Sequence, residues 1–352
     1  MTERENVLRA VRFEKPERIP MIFHVNDACW QHYPQDALQE LMADHPLLFP
    51  DFEPSAGPVV PDFQSNARAG VPYTDSWGCV WETSVDGITG TVTGHPLGDW
   101  SAFEPFARSL PDPDTSDGLE PIDWDAVASR FARDARAGRI ARGGLTHGHT
   151  FLKLCDIRGY ENLMFDMADG EPRLTELIRI VEQFNLGVVR HYIDAGAEYM
   201  GYAEDVGMQV GPMISPQHFR THIKPTYQRL TAPAREAGCI VHMHSDGDIR
   251  TLADDLIDGG VEVLNCQDLV NGIDWIAEHL TGRVCVDLDV DRQAITPAAA
   301  PDRVEALIRE EVRKLGSPSG GLMMIYGLYP GVPLANVKAL MDAMENYSTY
   351  YA

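Results

Sequence analysis

From about Gly138 onward the chain alternates short apolar runs with longer amphipathic segments. Two parallel strands need a crossover long enough to hold a helix, so this alternation is the signature of repeated strand–helix units and of a parallel sheet. Five runs are plain: RIARGGL (139–145), AEYMGYAEDV (197–206), CIVHMHS (239–245), VEVLNC (261–266) and RVCVDLDV (283–290). A sixth, GLMMIYGLY (321–329), precedes the last helix. Near the start, RIPMIFHV (18–25) reads as a strand and HPLLFPDF (45–52) as another, giving eight. Eight strands separated by helices predict an α/β fold of the (β/α)8 TIM-barrel type, as a single domain over residues 1–352.

The helices carry their own signals. SPQHFRTHIKPTYQRLTAPAREAG opens with Ser215 at the N-cap and Pro216 at the first helical position, and stops at Gly238. EPRLTELIRIVEQFNLGVVRHYIDAG places Leu174, Leu177, Ile178, Val181, Phe184 and Val188 on one face, and PLANVKALMDAMENY repeats the pattern with Leu334, Val337, Leu340, Met341 and Met344. Both stripes are read as packing. The stretch from about Glu53 to Asp134 is rich in Pro, Gly, Trp and Asp and fits an insertion between the second and third strands, with TSVDGITGTVTG (83–94) as a hairpin. Tyr73, Trp77 and Trp81 lie in it, either lining a pocket or packing the insertion down.

A formal net charge of −24 excludes nucleic acid and anionic membrane as main partners, since both need clustered Lys and Arg. The six cysteines form no CxxC pair and read as thiols of a reducing cytoplasm. With no apolar run near the roughly 18 residues needed to span a bilayer and no signal-peptide core, a cytosolic enzyme is expected. No phosphate-binding glycine loop, GxSxG elbow or HExxH is present.

A TIM barrel builds its active site at the C-terminal ends of its strands, which makes polar residues there candidates. His242 and His244 alternate along one strand, so they share a face about 6–7 Å apart. Glu204 and Cys266, at the ends of neighbouring strands, would flank them and give a Glu/His/His/Cys set suited by ligand type to zinc. The competing structural reading has one histidine bonding a backbone carbonyl and Cys266 filling the core. Asp246, Asp205, Tyr202 and His147 are the candidates for proton transfer or for orienting a ligating imidazole.

Several stretches occur in an order that resembles the uroporphyrinogen decarboxylase superfamily: RENVLRAVRFEKPERIPM, YTDSWGCVWE followed by TGHPLGDW, ISPQHFRTHIKP, GCIVHMHSDGDI, VEVLNCQDL and YPGVPLANVKAL. The resemblance runs over nearly the whole chain and is strongest with the methyltransferase branch, whose members move methyl groups to or from a corrinoid protein or a thiol on a TIM barrel. It implies a zinc-dependent methyltransferase, a corrinoid carried by a partner protein, a small methylated substrate and a homodimer. The decarboxylase's arginine-rich segment after the first strand is replaced here by FHVNDACW, so the alternative, a metal-free lyase acting on a tetrapyrrole or other acidic substrate, lacks its cations. Zinc-binding relatives read His-x-Cys on the fifth strand with a further cysteine near the last. By resemblance His242 fills the first position, His244 stands where they carry cysteine, and no cysteine occurs in YGLYPGVPLANV. The expectation is zinc acting as a Lewis acid on the donor's leaving atom, with a non-catalytic ligand-binding module as the remaining reading.

Overall fold

The computed structural model describes residues 1–351. Its strands are β1 (Met21–Val25), β2 (Tyr73–Thr74), β3 (Val80–Glu82), β4 (Thr91–Gly94), β5 (Arg142–Leu145), β6 (Tyr199–Ala203), β7 (Ile240–Ser245), β8 (Val263–Gln267), β9 (Cys285–Asp289) and β10 (Leu322–Leu328). The chain divides into two compact units, one of Met1–Ala69, Thr83–Thr89 and the part from Gln267 onward, the other of Gly70–Glu82 and Gly90–Cys266.

In the first unit β10 lies between β1 and β9, parallel to both, with Met21 paired to Met324 and Leu322 to Val286. The helix Glu3–Arg12 starts where the sequence can cap it: the Thr2 hydroxyl accepts from Glu5 N–H while the Glu5 carboxylate accepts from Thr2 N–H. Helices Pro301–Leu315 and Leu334–Ser348 bury Val304, Ile308, Leu340 and Met344, and Phe23 meets Tyr326 at 5.2 Å between ring centres.

In the second unit β5, β6, β7 and β8 run parallel in that order. The helices that follow β5 and β6 include Phe151–Arg158, Pro172–Asp194 and Lys224–Glu236. Ser215 caps its helix through a bond from His218 N–H (3.2 Å), and the chain leaves the helix at Gly238 with φ near +80°. Parallel strands joined by helices make this the α/β, TIM-barrel class that the sequence predicts. Seven of the eight expected barrel strands are present among the described residues.

The eighth, HPLLFPDF, is a correction. Residues 45–52 form turns: Phe49 N–H bonds back to His45 O (3.0 Å), Leu47 is 44% exposed, and Leu47 N–H is held by Glu345 Oε1 (2.8 Å). Pro46 and Pro50 remove two of the donors that a strand would need. Within 53–134 a hairpin is formed by β3 and β4, its first strand lying before the predicted stretch 83–94, and β2 completes a small antiparallel sheet. Trp77 is buried against Phe184 and Phe106, and the Trp81 indole donates to Asp75, so packing accounts for both. No helix among the described residues is long and apolar enough to cross a membrane.

Candidate active site at the ends of β5 to β7

Strand register decides which side chains can meet. Gly144, Gly201, His242 and Val263 lie side by side across the four strands, followed by Ala203, His244 and Asn265; all belong to one side of the sheet. Tyr202, Met243 and Leu264, with Ser245 and Cys266, belong to the other. The first side is half-buried at Gly201, Ala203, His242 and His244, whereas Tyr202, Met243 and Cys266 are buried completely.

This alternation sorts the predicted residues. Tyr202 packs away from the half-buried side and donates its hydroxyl to Leu230 O (3.0 Å) in the helix Lys224–Glu236, while burial raises its pKa. Cys266 is on the same side as Ser245, opposite His244. Glu204 is wholly buried, and its Oε1 accepts from Thr150 N–H (2.8 Å) and Leu152 N–H (2.9 Å), capping the helix Phe151–Arg158 from outside; its Oε2 accepts from Tyr227 OH. Burial pushes the Glu204 carboxyl up to about 7, with those three donors pulling against it. His242 shares the side of His244 but lies one step back along β7, its ring 5.4 Å from that of Tyr199. The structure therefore does not gather Glu204, His242, His244 and Cys266 around one point.

It gathers instead His147, Asp205 and His244, whose ligand atoms all lie within 4.8 Å of one another. His147 Nε2 is 3.3 Å from Asp205 Oδ2, and His244 Nε2 is 3.5 Å from Asp205 Oδ1. Asp246 borders the group, with Oδ1 3.6 Å from His244 Nε2. Burial opposes charge on His244, but the hydrogen bond to Asp205 and the charges of Asp246 and Asp205 overcome it and lift the imidazole to about 9. For Asp205 burial likewise opposes ionisation, and the bonds to His147 and His244 reverse this and hold the carboxyl far below its ordinary range. The arrangement can hold a cation, or a proton on His244, between anionic partners.

Two loops position these groups. Asp246 N–H donates to Asp205 Oδ1 (2.8 Å), and Val206 N–H to Ser245 Oγ (3.0 Å). Beyond them Gly207 and Gly247 cross backbone on backbone. A Cβ on Gly247, whose φ is +81°, would lie 2.2 Å from the Gly207 carbonyl carbon, and one on Gly207 would lie 2.6 Å from that of Gly247. Only glycine permits that approach, and it ties the Asp205 loop to the Asp246 loop.

Three more residues take part: Asn265 and His149, polar residues at strand ends that the sequence offers as candidates without a role, and Tyr227, which the sequence does not single out. Asn265, 3% exposed, sits beside His244 with its Oδ1 on His244 Nδ1. A buried amide must be hydrogen-bonded, and this one finds its partner in His244. His149 is buried, bonded through Nδ1 to Thr150 Oγ1 (2.7 Å), and its Nε2 has no hydrogen-bond partner. Burial, with the charge of His147, drops it to about 3, so it is neutral and its 4.0 Å approach to Glu204 is no ion pair. Tyr227 completes the Glu204 cap.

A methyltransferase from Methanosarcina mazei superposes with a TM-score of 0.65 at 17% identity, covering 100% of both chains. A B12-independent methionine synthase from Shewanella sp. W3-18-1 is 10% identical with a TM-score of 0.43, over 66% of this chain and 69% of that one. No curated protein sequence matches the chain. The family model described as uroporphyrinogen decarboxylase (URO-D) matches residues 128–347, which span β5 to β10 and every residue of the cluster, and the chain belongs to that family.

Proposed function

We propose that this chain is a metal-dependent methyltransferase, taking a methyl group from a small methylated donor and passing it to a corrinoid protein, with zinc as the Lewis acid. The convergence of His147, Asp205 and His244 carries the reading. One ligand atom from each residue lies within 4.8 Å of the other two, a span close to what metal–ligand bonds of about 2.0–2.1 Å can bridge. Two imidazoles and a carboxylate also suit zinc by chemistry. The residues that would hold it are thus His147, Asp205 and His244, in place of the set expected from sequence. Bound there, zinc would draw charge from the donor's leaving oxygen, nitrogen or sulfur as the methyl group departs.

The chain's own groups supply the rest. Asp205 is anchored by Asp246 N–H, which fixes the direction of its carboxylate. The Asp246 side chain, 39% exposed and beside His244, is placed to take or return a proton at the leaving atom. No cysteine belongs to the group of His147, Asp205 and His244, which favours activation of the donor over methylation of a thiol held by the protein. Asp205 and Asp246 together make a poor host for a substrate with many carboxylates, which weighs against a porphyrinogen.

The test is turnover. Purified, zinc-loaded protein is incubated with cob(I)alamin and a panel of O-, N- and S-methylated small molecules, and methylcobalamin is followed by its absorbance. At least one donor is expected to give turnover that falls at least about a hundredfold in His244→Ala, the scale of losing a group that stabilises transition-state charge. Conversion of uroporphyrinogen to coproporphyrinogen, with no methyl transfer from any donor, would replace this reading with the lyase.

A further inference from the structure

We infer that Asn265 is a positioning residue for the metal site: its side-chain oxygen takes the Nδ1 proton of His244 and so turns the Nε2 lone pair toward Asp205 and His147. This inference rests on the metal-dependent reading above. An imidazole offers one nitrogen to a metal, and the partner of the other nitrogen decides which one and fixes the ring plane. His244 Nε2 faces Asp205 Oδ1 at 3.5 Å and Asp246 Oδ1 at 3.6 Å, and Nδ1 faces Asn265 Oδ1. The bond joins in-register neighbours on β7 and β8, two paired strands, so the acceptor sits on rigid backbone rather than on a loop.

The same logic extends to Asp205, whose Oδ1 is fixed by Asp246 N–H (2.8 Å). Two of the three ligands therefore carry a partner that sets their orientation. His147 is the outermost, its side chain 52% exposed. The site is then two prepared ligands, with a third able to close over the ion, and the preparation of His244 depends on one buried amide. Asn265 meets the ligand group at His244 Nδ1.

The experiment is zinc affinity by competition against a chromogenic chelator, on the full chain carrying Asn265→Leu or Asn265→Asp, with circular dichroism and the melting temperature of the metal-free proteins as controls for folding. Leucine keeps the volume and loses the acceptor; aspartate keeps the acceptor. Orientation by Asn265 predicts that Asn265→Leu binds zinc roughly 10–100-fold more weakly, while Asn265→Asp binds at least as tightly as the wild type. Cobalt(II) substitution gives a second readout, since its visible bands report coordination geometry: the wild-type spectrum is expected to persist in Asn265→Asp and to change in Asn265→Leu. Wild-type affinity and an unchanged cobalt spectrum in Asn265→Leu would overturn the inference and leave the metal site standing. Failure of the wild type itself to bind zinc would overturn the metal reading, and this inference with it. If Asn265→Leu melts far below the wild type, Asn265→Asp decides alone: weak zinc binding by that folded variant would overturn the role.

Discussion

Glu204 and Asp205 are adjacent in sequence and do different work, because successive residues leaving a strand point to opposite sides. Asp205 continues the half-buried phase of Gly201 and Ala203 and reaches the cluster. Glu204 continues the buried phase of Met200 and Tyr202 and ends at the helix Phe151–Arg158. That phase was legible: small residues at 201 and 203 against bulky ones at 200 and 202 mark which side has room. What could not be read was the register across β7 and β8, which puts Cys266 beside Ser245 and Asn265 beside His244. Single-strand periodicity places His242 and His244 together but says nothing of which neighbour they meet. Replacing Glu204 by alanine would strand two backbone N–H groups and the Tyr227 hydroxyl in the interior. A loss of about 2–4 kcal/mol in urea unfolding is expected, an unmade helix cap and buried unsatisfied donors combined. A change below about 0.5 kcal/mol would show that the cap contributes nothing.

At the scale of elements, β1 and the strands from β5 onward were readable because each is a short apolar run closed by turn residues and separated from the next by a strongly periodic helix. HPLLFPDF has the apolar content but two prolines, and its backbone turns on itself, with Glu345 accepting from Leu47 N–H. Composition suggested a strand; donor arithmetic forbids it. The Gly207–Gly247 crossing was equally hidden, since a glycine in a loop announces freedom and not the other loop that comes within van der Waals contact of it. In the second unit a buried ion cluster adds a further tie between elements. Lys153, in the helix Phe151–Arg158, lies 3.3 Å from Asp75 and 3.5 Å from Asp156. Burial works against its charge, and the two carboxylates more than compensate, raising its pKa. Asp75 also accepts from Trp77 N–H, Cys79 N–H and the Trp81 indole, so the small antiparallel sheet and this helix share one polar anchor.

For the whole molecule, acidity has a price in pH tolerance that can be located. In the first unit Glu311 is completely buried beside a second buried carboxyl, that of Asp268. Burial, reinforced by the nearby Asp268, raises its pKa well above the usual carboxylate value, and Asp268 is itself raised, chiefly by burial. A carboxyl with a raised folded-state pKa stabilises the fold fully below its unfolded value and loses that contribution as pH climbs through the folded value. Stability should accordingly fall from mildly acidic toward alkaline pH. Glu311→Gln, which cannot ionise, is expected to melt close to the wild type at pH 5 and several degrees above it at pH 8. An equal offset at both values would assign the stability loss to other groups.

The central claim is that His147, Asp205 and His244 bind one metal ion. The most direct measurement is zinc per chain after equilibration with a slight excess of zinc and exhaustive dialysis, for the wild type and for His147→Ala, His244→Ala, with the melting temperature of each confirming a folded chain. The account predicts about one zinc per wild-type chain and close to none in the double variant. Equal zinc content in the two proteins, whether near one or near zero, would contradict it.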